Sequence, residues 1–215
     1  MIDIHTHRTE TENSLLSLFH DRGIPESGFF SIGVHPWKIP EYNQNDSALI
    51  EKIKHSRCLA IGECGLDKLR GEEFEKQISV FVKHIRWSEH YKKPLIIHCV
   101  KAFNEIIKLK KDTNPEQAWI IHGFNSKSSV LKELLNQGFY ISIGTDLMNN
   151  VEKLNSYMSI VPDNRLFFET DESELSISEI YKITAKIKQL DLLSLQNIIK
   201  DNFKNCFHID HNGLA

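Results

Sequence analysis

Cysteine is scarce in this chain and poorly spaced for chemistry. Cys58, Cys64, Cys99 and Cys206 form no Cys-x-x-Cys pair. That excludes the usual thiolate zinc site and dithiol redox motif, and leaves each as a small buried apolar residue suited to a reducing compartment. Long apolar runs are absent, and none approaches the length that crosses a bilayer. The first residues do not read as a secretory leader, because Asp3, His5 and His7 interrupt them. A cytoplasmic protein with no membrane partner is expected. An excess of positive charge is lacking too. The formal net charge is -3, so no broad attraction to nucleic acid follows, although a local basic pocket is compatible with it. No repeat, low-complexity tract or Gly/Ser/Pro linker breaks the 215 residues. The simplest division is one domain over 1–207 and a tail at 208–215, with no obligate protein partner.

What is present is an alternation. Short apolar or β-branched runs recur at 1–5, 29–35, 58–63, 94–99, 118–123, 139–144 and 165–170. Most are continuously apolar, as in strands buried on both faces of a parallel sheet. Helical stripes lie between them: Phe74, Ile78, Phe81, Val82 and Ile85 within 72–92, and Val130, Leu131, Leu134 and Leu135 within 127–137, closed by Gly138. Further helices are expected over 46–56, capped by Asn45 or Asp46, and over 102–111, 175–189 and 191–205. Strand and helix in alternation imply an α/β fold with right-handed crossovers.

The unusual residues gather at one place in each unit of that pattern. His5, His35, Glu63, His98, His122 and Asp171 fall at or just past the C-terminal end of a strand run. Contributions from nearly every strand suit a TIM-type parallel β/α barrel, whose strand C-termini form the active-site face, better than a doubly wound sheet with one switch point. Each residue has a plain reading alone: a hydrogen-bonded core histidine, a buried paired carboxylate, a helix cap. Together, imidazoles and carboxylates converging without a cation would be costly to desolvate. Divalent metal resolves that cost, and this many ligands suggest two ions sharing a bridging carboxylate. In "IDIHTH", His5 and His7 stand two apart, so on a strand they share a face and can reach one ion.

The ordered stretches "HTH" (5–7), "GVHPW" (33–37), "IGECGLD" (61–67), "PLIIHC" (94–99), "IIHGF" (120–124), "YISIG" (140–144) and "ETD" (169–171) resemble the TatD-type metal-dependent deoxyribonucleases of the amidohydrolase superfamily. The resemblance implies a β/α barrel with a site for two divalent ions, of Mg, Mn or Zn. His5, His7 and Asp171 would hold one ion, His98 and His122 the other, and Glu63 would bridge both. Asp171 would also act as general base, so Asp171 and Glu63 are the expected catalytic residues. His35 and Asp67 would stand behind the ligands or contact the substrate, and Lys101 would meet a phosphate. The implied activity is hydrolysis of phosphodiesters by a metal-activated water, as a DNase or exonuclease acting on DNA ends or short oligonucleotides. Metal coordination brings the pKa of water from about 15.7 to about 7, which makes that chemistry possible at neutral pH. An alternative is a metallohydrolase on the same scaffold acting on a small amide, an ester or a D-aminoacyl-tRNA. A non-catalytic binding protein would be expected to have lost ligands, and none is lost.

The chain departs from that pattern in places. Between the opening strand and "GVHP" only 8–28 remains, with at most one short helix at "SLLSLF". A barrel abbreviated there, seven-stranded or distorted, follows, with sheet edges that something must cover. Arg8-Thr9 follows "HTH" where similar proteins carry Leu-Asp, and Glu172-Ser173 follows "ETD". Asn202 interrupts the last helical stripe and is expected buried, bonding backbone rather than substrate. His20, His55, His84, His90, His208 and His211 read as solvated.

Overall fold

A computed structural model of the chain describes residues 1–9, 13–42, 46–71 and 73–209. Its strands are β1 (Asp3–Thr6), β2 (Ser14–Phe19), β3 (Phe29–Gly33), β4 (Cys58–Asp67), β5 (Leu95–Val100), β6 (Trp119–Ile121), β7 (Tyr140–Gly144) and β8 (Leu166–Glu169). Its α-helices are α1 (Asp46–Lys54), α2 (Phe74–Tyr91), α3 (Phe103–Thr113), α4 (Ser128–Asn136), α5 (Val151–Met158), α6 (Ile177–Lys188) and α7 (Leu192–Phe207). Strand order in the sheet follows chain order, the topology of a TIM-type β/α barrel. Among the described residues no helix is long and apolar enough to cross a membrane. The chain divides into two compact units, one of Leu15–Ile121 and the other of Met1–Ser14 with His122–Ala215.

The expected loss of a strand in 8–28 is corrected by β2. "SLLSLF" is not a helix but a strand, paired in parallel with β3 from Leu15↔Phe29 to Phe19↔Gly33. The chain therefore has eight strands among its described residues, not seven. Leucine is a strong helix former, and six residues are too few for periodicity to separate helix from strand. Pairing decides the matter: Leu15, Leu16, Ser17 and Leu18 are all buried, which a strand covered on both faces achieves and an isolated short helix does not. Residues 10–12 of this segment, Asn45 as a cap, and His211 with most of the expected tail lie outside the described residues.

In the unit Leu15–Ile121, β4 is buried along all ten residues and pairs in parallel with β3 and β5. It packs against α2 and α1, whose Phe81, Ile85, Leu49 and Ile53 are buried. His84 of α2, expected at the surface, is fully buried there. Its Nε2 accepts the Val34 N–H at 3.0 Å, and its Nδ1 lies 2.8 Å from the Val80 carbonyl. Accepting at Nε2 leaves Nδ1 to donate, so the ring is a neutral tautomer that fastens α2 to the residue before His35. A polar ring on an otherwise helical stripe reads as solvated only when its tertiary acceptor and donor are unknown. His20 and His55 are half-buried, whereas His90 and His208 are exposed as expected.

In the other unit, β7 and β8 run parallel from Ile141↔Leu166 to Gly144↔Glu169, and Thr6 of β1 forms a parallel bridge with Asp171 just past β8. Tyr181 of α6 accepts the Ile2 N–H at 3.1 Å and donates to the Ile2 carbonyl at 2.9 Å, fixing the entry to β1. Asn202 of α7 donates to the carbonyls of Asp163 at 2.7 Å and Leu166 at 2.9 Å. It is the buried backbone clamp that its position suggested.

Burial lowers the His84 pKa to about 4, against about 6.5 in the unfolded chain. Below pH 6.5 the unfolded state binds a proton that the native state refuses. This contribution is therefore whole above pH 6.5 and is lost as pH falls towards 4, on the order of 3 kcal/mol in all. Urea unfolding in chelator should show the decline between those values, and His84→Gln should flatten it. An unchanged pH slope in the variant would contradict the assignment.

Candidate metal centre

The first cluster is built by backbone pairing. Asp171 donates its N–H to the His5 carbonyl at 2.9 Å, and its own carbonyl accepts the His7 N–H at 3.1 Å. The residue just past β8 is thus locked between the two histidines of "HTH". Its φ is +55°, a left-handed conformation that Asp tolerates better than most residues but that still needs support. The support is a buried polar network. Thr170 Oγ1 donates to Asp3 Oδ2 at 2.7 Å, the Thr170 N–H goes to Asp3 Oδ1 at 3.2 Å, and Thr6 Oγ1 reaches the Asp171 carbonyl at 3.4 Å. Burial pushes the Asp3 carboxyl up to about 6, against the pull of its hydrogen bonds from Thr170 and the His5 N–H.

The side chains follow the backbone. His5 Nε2 and His7 Nε2 each lie 3.5 Å from Asp171 Oδ1. His5 is fully buried, whereas the Asp171 side chain is 42% exposed. One ligand atom from each of the three residues falls within 4.8 Å of the others. Two ligands about 2.0–2.1 Å from a tetrahedral ion stand about 3.3 Å apart, close to the spacing found. The donor set, two imidazoles and a carboxylate, fits a divalent cation such as Zn or Mn. His122 follows β6, with its ring centroid 4.4 Å from that of His5. Its Nδ1 lies 3.2 Å from Oε1 of the fully buried Glu169, the orienting contact that a ligating histidine needs.

The second cluster lies in the unit Leu15–Ile121. Glu63 was expected at a strand end but stands inside β4, four residues before Asp67 closes it. There the register with β5 shifts: Ile61 pairs with Leu95 and Cys64 with Ile97. The extra residue is a bulge, which re-aims a side chain within a continuing strand. Glycine makes the close approach possible. A Cβ on Gly62 would fall 2.3 Å from the Ile96 carbonyl oxygen, and one on Gly65 2.0 Å from that of His98.

Glu63 Oε1 lies 3.1 Å from His35 Nε2 and 2.8 Å from His98 Nδ1. His35 Nδ1 accepts the Trp37 N–H at 3.1 Å, so the proton of a neutral His35 is on Nε2 and is donated to Glu63. His35, Glu63 and His98 are close enough to hold an ion, but in that tautomer both ring nitrogens of His35 are engaged. His98 Nε2 faces Asp67 Oδ2 at 3.2 Å, so its ring stands between two carboxylates. A neutral imidazole has one N–H and can donate to only one of them; a cation at the other nitrogen satisfies the second.

Asp67 is 3% exposed. It accepts from Trp37 Nε1 at 2.7 Å and from the N–H groups of Leu69 and Arg70 at 2.8 and 3.1 Å. Burial raises its pKa, but the bonds from Trp37, Leu69 and His98 outweigh burial and hold the carboxyl below its usual range. Of the residues expected at the substrate, His35 and Asp67 are buried and engaged, and Lys101 is exposed. Asp3, Thr170 and Glu169 received no role from sequence reasoning. The signal was available: an acid inside an apolar strand, as in "MIDIH" and "LFFET", must find a partner.

Comparison with known proteins agrees with this picture. Residues 1–208 match the sequence profile of the family described as TatD related DNase. The chain is 37% identical over 150 residues to an "uncharacterized metal-dependent hydrolase" of Buchnera aphidicola subsp. Baizongia pistaciae, covering 68% of this chain and 56% of that protein. It is 28% identical over 152 residues to the "3'-5' ssDNA/RNA exonuclease TatD" of Erwinia tasmaniensis, covering 68% of this chain and 59% of that one. Both matches span less than two thirds of the relative. In fold it is similar to the crystal structure of YJJV, a TatD homologue from Escherichia coli, with a TM-score of 0.80 and 15% identity over 92% of this chain and 86% of that one.

Metal-stripped protein should be stabilised by Mn or Zn. At a hundredfold excess over Kd the gain is about 2.7 kcal/mol, roughly 5–10 °C in Tm for a chain of this size. The double variant His7→Ala, Asp171→Asn should lose much of the shift in a thermal melt, and a parent protein whose Tm ignores every divalent ion would rule the site out. Gly65→Ala should lower the unfolding free energy measured in urea by about 2 kcal/mol or more, because its Cβ meets backbone that cannot give way.

Proposed function

Because this chain belongs to the TatD related DNase family, we propose that it is a phosphodiesterase that trims DNA ends or short oligonucleotides with divalent ions bound at these clusters. The observation that carries the reading is Asp171: held between His5 and His7 by backbone bonds, within reach of both Nε2 atoms, and open to solvent. A nucleic-acid end as substrate is supported by the exonuclease named among its relatives.

His5, His7 and Asp171 would hold one ion. Glu63 and His98, steadied by His35 and Asp67, would contribute to a second. That Glu63 is shared and that His122 joins His98 rests on the family resemblance. A bound divalent ion supplies a Lewis acid for the phosphoryl oxygen and makes a water acidic near neutral pH. The chain's own residues do the rest. Asp171 takes the proton of the attacking water at its carboxylate. As the water oxygen bonds to phosphorus, the bond to the leaving oxygen breaks, and that oxygen receives a proton. Asp3 and Thr170 keep the base in place. Lys101, exposed and left-handed at φ +56° just past β5, is offered to a phosphate; buried His35 and Asp67 act through the ligands they orient.

Asp171→Asn should retain the fold by circular dichroism and lose nearly all hydrolysis of single-stranded DNA and of bis(p-nitrophenyl) phosphate with Mn or Mg. Chelator should abolish the parent's activity. Parent-like rates in the variant under metal-replete conditions would refute the role of Asp171. Turnover of simple amides but of no phosphodiester would replace the reading with an amidase.

A further inference from the structure

Beside Asp171, within its own unit, lies a cavity of about 340 Å³. That is the small end of ligand sites, which run from roughly 300 to 1,000 Å³, and it has room for one compact group rather than a strand. Its lining includes the acidic residues Asp146, Glu169, Asp171 and Glu172, with Phe124 and Thr145, and among the described residues no Lys, Arg or His. Cations stay outside: Arg8 Nη1 donates to the carbonyls of Ser173 and Glu174, and Lys153 Nζ binds the Asn125 side chain.

Acidity alone does not make a site, but two buried atoms point to an occupant. Glu169 is fully buried and Thr145 is 1% exposed. Glu169 Oε2 and Thr145 Oγ1 have no hydrogen-bond partner among the described residues. Leaving such buried atoms unmet opposes folding unless a bound group meets them. A carboxylate oxygen only accepts, so it calls for a donor, and the negative charge of Asp146, Glu169 and Glu172, none of them assigned to an ion, turns anions away.

We propose that this cavity receives the terminal nucleoside of the strand, with a sugar hydroxyl or a base N–H donated to Glu169 Oε2, and that it refuses a terminal phosphate. The inference rests on the phosphodiesterase reading and narrows it. The scissile phosphate goes to the ions, the next part of the backbone passes the outer cations, and the uncharged end enters the acidic cavity. The enzyme then acts on hydroxyl-terminated strands.

Two measurements test it. Calorimetric titration of metal-free protein should show thymidine binding about tenfold tighter than thymidine 3'-monophosphate or 5'-monophosphate, and Thr145→Val should weaken thymidine about fivefold. Equal or tighter binding of the monophosphates, or no binding of thymidine, overturns the proposal. Second, with Mn, one oligonucleotide carrying a hydroxyl at both ends should be degraded about tenfold faster than the same strand phosphorylated at both ends. Equal rates overturn the proposal and leave the phosphodiesterase reading intact. If no oligonucleotide and no bis(p-nitrophenyl) phosphate is cut, that reading fails instead, and thymidine binding alone decides whether the cavity takes a nucleoside.

Discussion

The candidate site depends on one short piece of backbone pairing. Asp171 takes part in two main-chain hydrogen bonds with the "HTH" segment, to the His5 carbonyl and from the His7 N–H. Those bonds set the backbone of the carboxylate residue beside that of the two histidines, from which their side chains meet at 3.5 Å. They also hold the residue left-handed at φ +55°, a conformation that surrounding structure must impose. Asp3, Thr170 and Thr6 impose it from below, by side-chain bonds shielded from water and therefore stronger than at a surface.

The second cluster solves a related problem by other means. A strand buried on both faces has no solvent side to which a carboxylate can turn. A bulge in β4 and glycines with no Cβ to spare let Glu63 share His98 and His35 without opening the sheet. Behind them Asp67 accepts from Trp37 and two backbone N–H groups and lies 3.2 Å from His98 Nε2. Such outer contacts decide which nitrogen of an imidazole is free for a cation.

Much of the candidate site was legible in the sequence. Seven of the eight strands stand out as apolar runs, and His5, His7, Glu63, His98, His122 and Asp171 stand out as polar residues at odds with them. The misses have a common cause. β2 is six residues of Leu, Ser and Phe whose local preference is ambiguous, and its partner lies ten residues further along the chain. His84 sits in a helix whose polar spacing suggests solvent, yet its ring satisfies the Val34 N–H. Glu169 and Asp3 are quoted within motifs, but their partners His122 and Thr170 are distant in sequence.

The sequence by itself determined the alternation of strand and helix, the chemical character of the ligands and the likeness to TatD enzymes, because apolar patterning and donor chemistry are properties of the residues alone. Only the tertiary structure decided which carboxylate faces which imidazole, that His35 and Asp67 are buried against Glu63 and His98, that the opening segment adds a strand, and that an acidic cavity adjoins Asp171. Those are matters of distance between residues far apart in the chain, and no local preference encodes them.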